Sequence, residues 1–596
     1  MKKSKWSLLA MLFALLLVLA ACGDDKETTP DKGKADKPEE EEGFKKTVTN
    51  KGTAIKGGTL MVAMEKDSPF VGILNYALYS DGYDSDLMIY ANTSIFDADG
   101  DYLLTNDGIA SFDVNEDTKE VTVSIKKDVK WSDGQPLTVK DLILPYYIIG
   151  HKDYDGDRYN SNFRNIIGAE EYHAGAETIS GITVIDDYSY KLALKTISPG
   201  LYSGSDGLIT YALPDHVQGS IPVAELIEHD SVRKNPLSLS AFVVDKVVPG
   251  ESVEYKRNEH YWKGTPKLDG VIVKVVPSAS VAKALEAGEY DITLSLASTR
   301  YAEIKNYKNI DILAVPELYY QYLGFKIGKW NTETLQVDTD QANSKVGNVK
   351  LRQAMGYALN VEEVATRFYD GLRERANAIV PPVFSSFHDA SLKGYTYDPK
   401  KAEALLDEAG YKDIDGDGLR EDPKGEKFQL KFAAMTGDDV AESINSFWLQ
   451  NWNDVGLDVV FTDGRTIEFN SFYDRVKADD PEIDLFMAAF GVASNPSPSG
   501  VYAHTASFNY SRYTSPTLQE TLANIDSEKS FDTEYRAKQF AAFEKEIFDN
   551  APVIPITYRL ELTAVNKRVK NWTVDPANLE FDLKDVELLS DKGVRD

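Results

Sequence analysis

The chain is poor in the residues that build covalent and metal-centred chemistry: its 596 residues include one cysteine and seven histidines. A single cysteine excludes intrachain disulfides and thiolate metal cages. No HExxH, GxSxG, Walker A or GxGxxG pattern occurs, so the local signatures of zinc hydrolases, serine esterases and nucleotide-binding folds are missing. Positive charge is short as well, with 65 Lys+Arg against 95 Asp+Glu and a formal net charge of −30. Such a surface repels phosphate backbones and argues against nucleic acid, while it draws in cationic solutes over roughly one Debye length, ~10 Å. No repeat of about 20 to 50 residues is visible, which argues against solenoids and propellers. Beyond the first residues no apolar run reaches the ~20 residues of a spanning helix.

What is present begins at the N-terminus. Lys2, Lys3 and Lys5 precede an apolar run from Trp6 to Ala21 that ends Leu19-Ala20-Ala21-Cys22-Gly23. The spacing predicts a secretory signal over 1–21. Leu-Ala-Ala-Cys resembles the bacterial lipobox, in which the signal is cut before the cysteine and the thiol is acylated; the alternative is an ordinary cleaved signal that leaves Cys22 free. Loss of 1–21 removes three lysines and no acids, giving a mature charge of −33. Residues 22–56, with the run Glu39 to Glu42, read as a solvated tether with a reach of roughly 30 Å. The expected location is the extracellular face of the cytoplasmic membrane of a bacterium of Gram-positive type, on a lipid anchor.

The remaining length exceeds one core and predicts two or three lobes. Thr59 to Ala63 and Val121 to Ile125 have strand patterning, and Asp133-Gly134 with Thr138 and Asp141 predicts a turn feeding a helix. Val281, Ala284 and Leu285 have helical spacing before Gly288, after which Asp291 to Leu294 resumes as a strand. Leu351, Ala354, Met355 and Ala358 mark a helix. A second opens at Asn360 with Glu363 and is expected to stop at Gly371. A third opens at Asp398-Pro399 and ends at Gly410. This alternation predicts an α/β protein.

Five segments in order carry a family resemblance: Trp131 to Asp141, Arg257 to Gly264, Ala287 to Asp291, Val349 to Leu359 and Tyr397 to Tyr411. They resemble the extracellular solute-binding lipoproteins of oligopeptide ABC transporters, and Ile179 to Ile182, Ile379 to Phe384 and Ala564 to Val569 are similar to the lactococcal type. The resemblance implies a two-lobed periplasmic-binding-protein-like fold with an extra subdomain inserted in lobe one. Lobe one would take 57–318, with the insertion near 98–220, and the returning segment 552–596; lobe two would take 319–551. It further implies a monomer without cofactor that binds an oligopeptide between the lobes and delivers it to permease subunits.

Within that resemblance, Leu318 to Phe325 matches a crossing strand whose main chain pairs with the peptide's, which makes Tyr319, Tyr320, Gln321 and Tyr322 candidate ligand contacts. Backbone pairing recognises any extended peptide. The competing reading of the tyrosines is strand packing. Relatives place an acid for the peptide's α-ammonium in a loop that here reads Phe490 to Pro498, with Asn495, or Ser494, at the acidic place. A neutral amide forgoes charge assistance, so weak reading of a free N-terminus is expected, and a surface loop without ligand contact is the alternative. Asp413, Asp415 and Asp417 resemble the start of a calcium loop, but Lys424 stands where the bidentate acid belongs, and a hairpin turn is the simpler reading. Two other classes stay open: a binder of a narrow non-peptide ligand or signalling peptide, and a surface hydrolase or adhesin, for which no nucleophile-base motif speaks.

Overall fold

The computed structural model describes residues 44–294, 296–437 and 440–596. Cys22, the signal stretch and the acidic run lie outside the described residues. The leash does not extend to residue 56 as expected. Thr47–Val48 pairs antiparallel with Trp572–Thr573, Asn50 Nδ2 donates to the Val569 carbonyl at 2.7 Å, and Ile55 N donates to Leu588 O at 2.8 Å. The reason is composition: past the acidic run the chain regains Phe44, Val48 and Ile55, and Val48 is buried in a core with Trp572 and Leu588.

Two sheets are joined through one long strand, Val553–Asn566. Its first part pairs antiparallel with Tyr319–Phe325 and its last part with Ile310–Pro316. These partners are one stretch of chain interrupted at Glu317-Leu318, so two antiparallel strands run from lobe to lobe. In the first lobe Thr59–Glu65 lies parallel between Gly270–Val276 and Ile292–Leu294, and the hairpin Ser252–Arg257 with Phe242–Val248 closes the edge. In the second lobe Tyr319–Phe325 continues to Leu485–Gly491, Gln429–Ala433 and Asp458–Phe461. Sheets covered on both faces favour unbroken apolar strands, and Leu430, Phe432, Leu485 and Phe486 are all fully buried.

A separate core lies under the antiparallel sheet of Ala110–Asn115, Glu120–Ile125, Ser189–Ala193 and Ile182–Asp186. It draws residues from Ile73 to Leu239, on both sides of the 98–220 stretch. Its entry is built locally: Trp131 is fully buried beside the Asp133-Gly134 turn, and Thr138 N donates to Asp141 Oδ2 at 2.7 Å to open the helix Val139–Ile149. In the second lobe the helices Val349–Tyr357, Val361–Tyr369 and Pro399–Ala409 start on Asn348, Asn360 and Asp398, whose side chains accept first-turn amides. The second helix ends one residue before the expected glycine, because Asp370 itself takes the left-handed conformation at φ 49°, one that aspartate tolerates better than most residues. Arg352 is fully buried and donates to the carbonyls of Val346, Gly347, Asn550 and Ala551, tying its helix to the start of the long strand. Burial lowers its pKa to about 10. Among the described residues no helix is long and apolar enough to cross a membrane.

Candidate functional site

The lobes touch along a rim on either side of the two strands. Ser385 and Ser386 donate to the two oxygens of Asp101 at 3.1 and 2.9 Å, Lys119 pairs with Glu528 at 3.1 Å, and Tyr202 meets Phe531 edge-on with centroids 5.6 Å apart. Gly200 packs against Asn495, whose Nδ2 would lie 2.8 Å from a Cβ placed there. These first-lobe residues are carried by or beside the separate antiparallel sheet, and a further contact joins Lys305 to Asp370 at 3.2 Å.

Inside the rim a cavity of about 340 Å³ is walled by Tyr320, Phe490, Val492, Val501, Tyr502 and Phe508, with Ile379 and Val380 behind them. Its walls are apolar because polar ends are satisfied away from it. Tyr320 and Tyr502 join hydroxyls at 3.0 Å, and buried Glu544 accepts the amides of Ile379 and Val380 at 3.0 and 2.7 Å. Burial pushes Glu544 up to about 7 despite those two amides. Phe490 is held in a stack, with Tyr322 at 5.3 Å on one side and Tyr510 at 5.8 Å on the other.

A second cavity of about 380 Å³ lies over the crossing strands, lined by Ser298, Thr299, Glu317, Arg373, Arg559 and Glu561 among others. The long strand reads Thr557-Tyr-Arg559-Leu-Glu561-Leu-Thr563, a period of two that puts polar side chains on one face. Arg559 pairs with Glu317 through two hydrogen bonds, one of 2.6 Å from Nη2, and its guanidinium lies 3.8 Å from the Tyr319 ring centroid.

The predicted contacts divide accordingly. Tyr319 faces Arg559 at the second cavity, and Tyr320 and Phe490 wall the first. Gln321 accepts from Thr557 Oγ1 at 3.1 Å, and Tyr322 is 1% exposed with its hydroxyl unpartnered, a packing residue beneath Phe490. The expected main-chain pairing with a ligand is closed off at 321–324, which pair with the long strand on one edge while 319–325 pair with Leu485–Gly491 on the other. The strand supplies side chains instead. Asn495 lines the first cavity and Ser494 is half-buried off its wall. The Asn495 amide oxygen already accepts from Arg536 Nη2 at 3.1 Å and from Ser497 N at 3.2 Å, so both its lone-pair directions are taken within the chain.

The Asp-Gly loop folds as a hairpin closed by Lys412 and Glu421, and its side-chain oxygens accept its own amides, Asp413 from Gly416 and Gly418 and Asp417 from Leu419. Lys427 Nζ pairs with Asp415, Asp417 and Glu421 at 2.7, 2.6 and 2.7 Å. Asp413 and Asp415 thus come together with Glu421 rather than with a twelfth-position acid. Sequence reasoning also missed Tyr502, Glu544, Arg559 and Glu561. The alternation over 557–563 is the one signal that marks the last two.

Comparison with known proteins agrees with this architecture. The family model described as bacterial extracellular solute-binding proteins, family 5, middle region, matches residues 105–512. The oligopeptide-binding protein OppA of Lactococcus lactis subsp. lactis is 32% identical over 489 residues, covering 81% of each chain. The oligopeptide-binding protein AppA of Bacillus subtilis is 25% identical over 98% of each chain. Among solved structures, lactococcal OppA complexed with an endogenous peptide in the closed conformation superposes with a TM-score of 0.74 at 31% identity, covering 89% of this chain and all of that one. With two lobes, two crossing strands and these relatives, the chain belongs to the family 5 bacterial extracellular solute-binding proteins.

Proposed function

We propose that this chain is the substrate-binding component of an ABC importer, which captures extracellular oligopeptides between its lobes and hands them to a membrane permease. The observation that carries the reading is the pairing of an apolar, aromatic-walled cavity of the second lobe with a polar one over the crossing strands, lined from both lobes. A peptide has this double character, with apolar side chains on a polar backbone. Relatives whose names state oligopeptide binding support the ligand class. Cys22 serves as the lipid attachment that keeps the body at the outer membrane face, and the chain works as a monomer.

In this reading one apolar side chain of the ligand seats in the 340 Å³ cavity. Burying a Leu- or Phe-sized group there contributes about 1.5–3 kcal/mol, on the order of 10- to 100-fold in affinity. Mass spectrometry of material released on denaturing the gently purified mature body is expected to show heterogeneous peptides that share an apolar residue. Val501→Trp, which fills the cavity, is expected to deplete that residue from the released set. One defined small molecule in place of peptides would refute the reading.

A further inference from the structure

One carboxylate in the cleft has no partner. Glu561 stands on the long strand opposite Val315, on the face that also carries Thr557 and Arg559, and it lines the 380 Å³ cavity. Two arginines line the same cavity, and neither bonds it. Arg559 is committed to Glu317 by two hydrogen bonds. Arg373, across the ladder from Arg559, lies 3.8 Å from the Tyr369 ring centroid, and its buried Nε has no hydrogen-bond partner among the described residues. Among the described residues the Glu561 side chain enters no hydrogen bond or ion pair. The other charges facing it are Glu317 and Asp86, both acidic, and Tyr102 from the first lobe also feels its charge. Desolvation, Glu317 and Asp86 push its pKa up, and Arg559 opposes them. Glu561 is exposed to the space of the cavity, and an unpaired carboxylate there can accept from a cationic group of a ligand.

Resting on the peptide reading above, we propose that Glu561 is the counter-charge for a cationic group of the bound ligand, its α-ammonium or a lysine or arginine side chain. The place expected to do this from the sequence, Asn495, is neutral and bonded to Arg536. Glu561 sits instead on the shared strand, where a cation would also offset the repulsion from Glu317 and Asp86. A charge-assisted bond is stronger than a neutral one, so cationic peptides gain an advantage that neutral peptides of the same shape do not.

The test uses three matched nine-residue peptides: an N-acetylated neutral one with a central norleucine, the same with lysine at that place, and the neutral one with a free N-terminus. Calorimetric titration of the mature body is expected to give at least tenfold tighter binding of one or both cationic peptides than of the neutral one. Glu561→Gln is expected to erase that preference, leave the neutral peptide within twofold, and keep the unfolding midpoint. Glu561→Lys is expected to reverse it. A preference that survives in Glu561→Gln, or an equal loss for all three peptides, overturns the assignment of Glu561 while the peptide reading stands. Failure of the wild-type protein to bind any of the three overturns the peptide reading and this inference with it.

Discussion

Replacing Asp479 by asparagine is expected to destabilise the protein by roughly 3–5 kcal/mol at neutral pH, the range for removing one member of a buried charged group. Asp479 Oδ1 accepts from Lys326 and, at 2.8 Å, from Arg512 Nε, while Oδ2 accepts Trp330 N at 2.6 Å. Arg512 is 1% exposed and Lys326 is nearly as enclosed. Their remaining donors go to the carbonyls of Val476, Lys477, Ser507, Asn509 and Tyr510. One carboxylate therefore balances two cations in a cage of carbonyls. Asparagine is the right probe because residue 479 has φ 53°, which asparagine accepts, so the loss reports charge rather than backbone strain. Burial already holds Lys326 down at about 8, with Asp479 opposing. Without Asp479 the lysine falls further, and part of the lost stability is expected to return on removing its charge in a Lys326→Met double variant. Denaturant unfolding of the cycle checks this; additive single and double effects would show that Asp479 and Lys326 act independently. The damage reaches the ligand site, since Lys326 holds the carbonyl of Tyr510, whose ring backs Phe490.

A comparable effect is expected from pH at Glu544. Its folded pKa of about 7 lies above the ordinary value of 4.5 because of burial. A raised carboxyl pKa means that the folded state binds more protons between those values. The stabilisation is complete below about pH 4.5 and is lost as pH rises through about 7, by about 3 kcal/mol in all. Glu544→Gln cannot titrate, so the difference in unfolding free energy between wild type and variant should shrink steadily from pH 5 to pH 8. Parallel pH curves would contradict a buried proton on Glu544. Because this carboxyl holds the amides of Ile379 and Val380, its ionisation alters the support of the cavity wall.

Much of the fold was legible where the determining interactions are local. Asn360 with Glu363, Asp398 with Pro399 and Asp133 with Gly134 act within one turn of chain, and each stands in its predicted place. The pairing of Ile310–Phe325 with Val553–Asn566 joins strands more than two hundred residues apart, and no short pattern encodes a partner at that range. The same holds for the side chains. Tyr320 could be proposed from its strand, yet its meeting with Tyr502 depends on where a distant loop returns. The Asn495 loop was noticed for the acid it lacks, whereas Arg536, which occupies its acceptor, lies on the helix Thr533–Asn550 and carries no mark in the sequence. Lys427 likewise falls outside the spacing that defines a calcium loop.

That lysine has a consequence for a protein facing the medium. A loop that borrows a divalent ion for closure is hostage to the mineral content around it, loosening under chelators or in soft water. Here the counter-ion is covalently part of the chain, arriving with every molecule at fixed stoichiometry and held by Asp415, Asp417 and Glu421. Chelation is therefore expected to leave the hairpin shut, and this corner of the second lobe is expected to keep its order whether calcium outside is scarce or abundant.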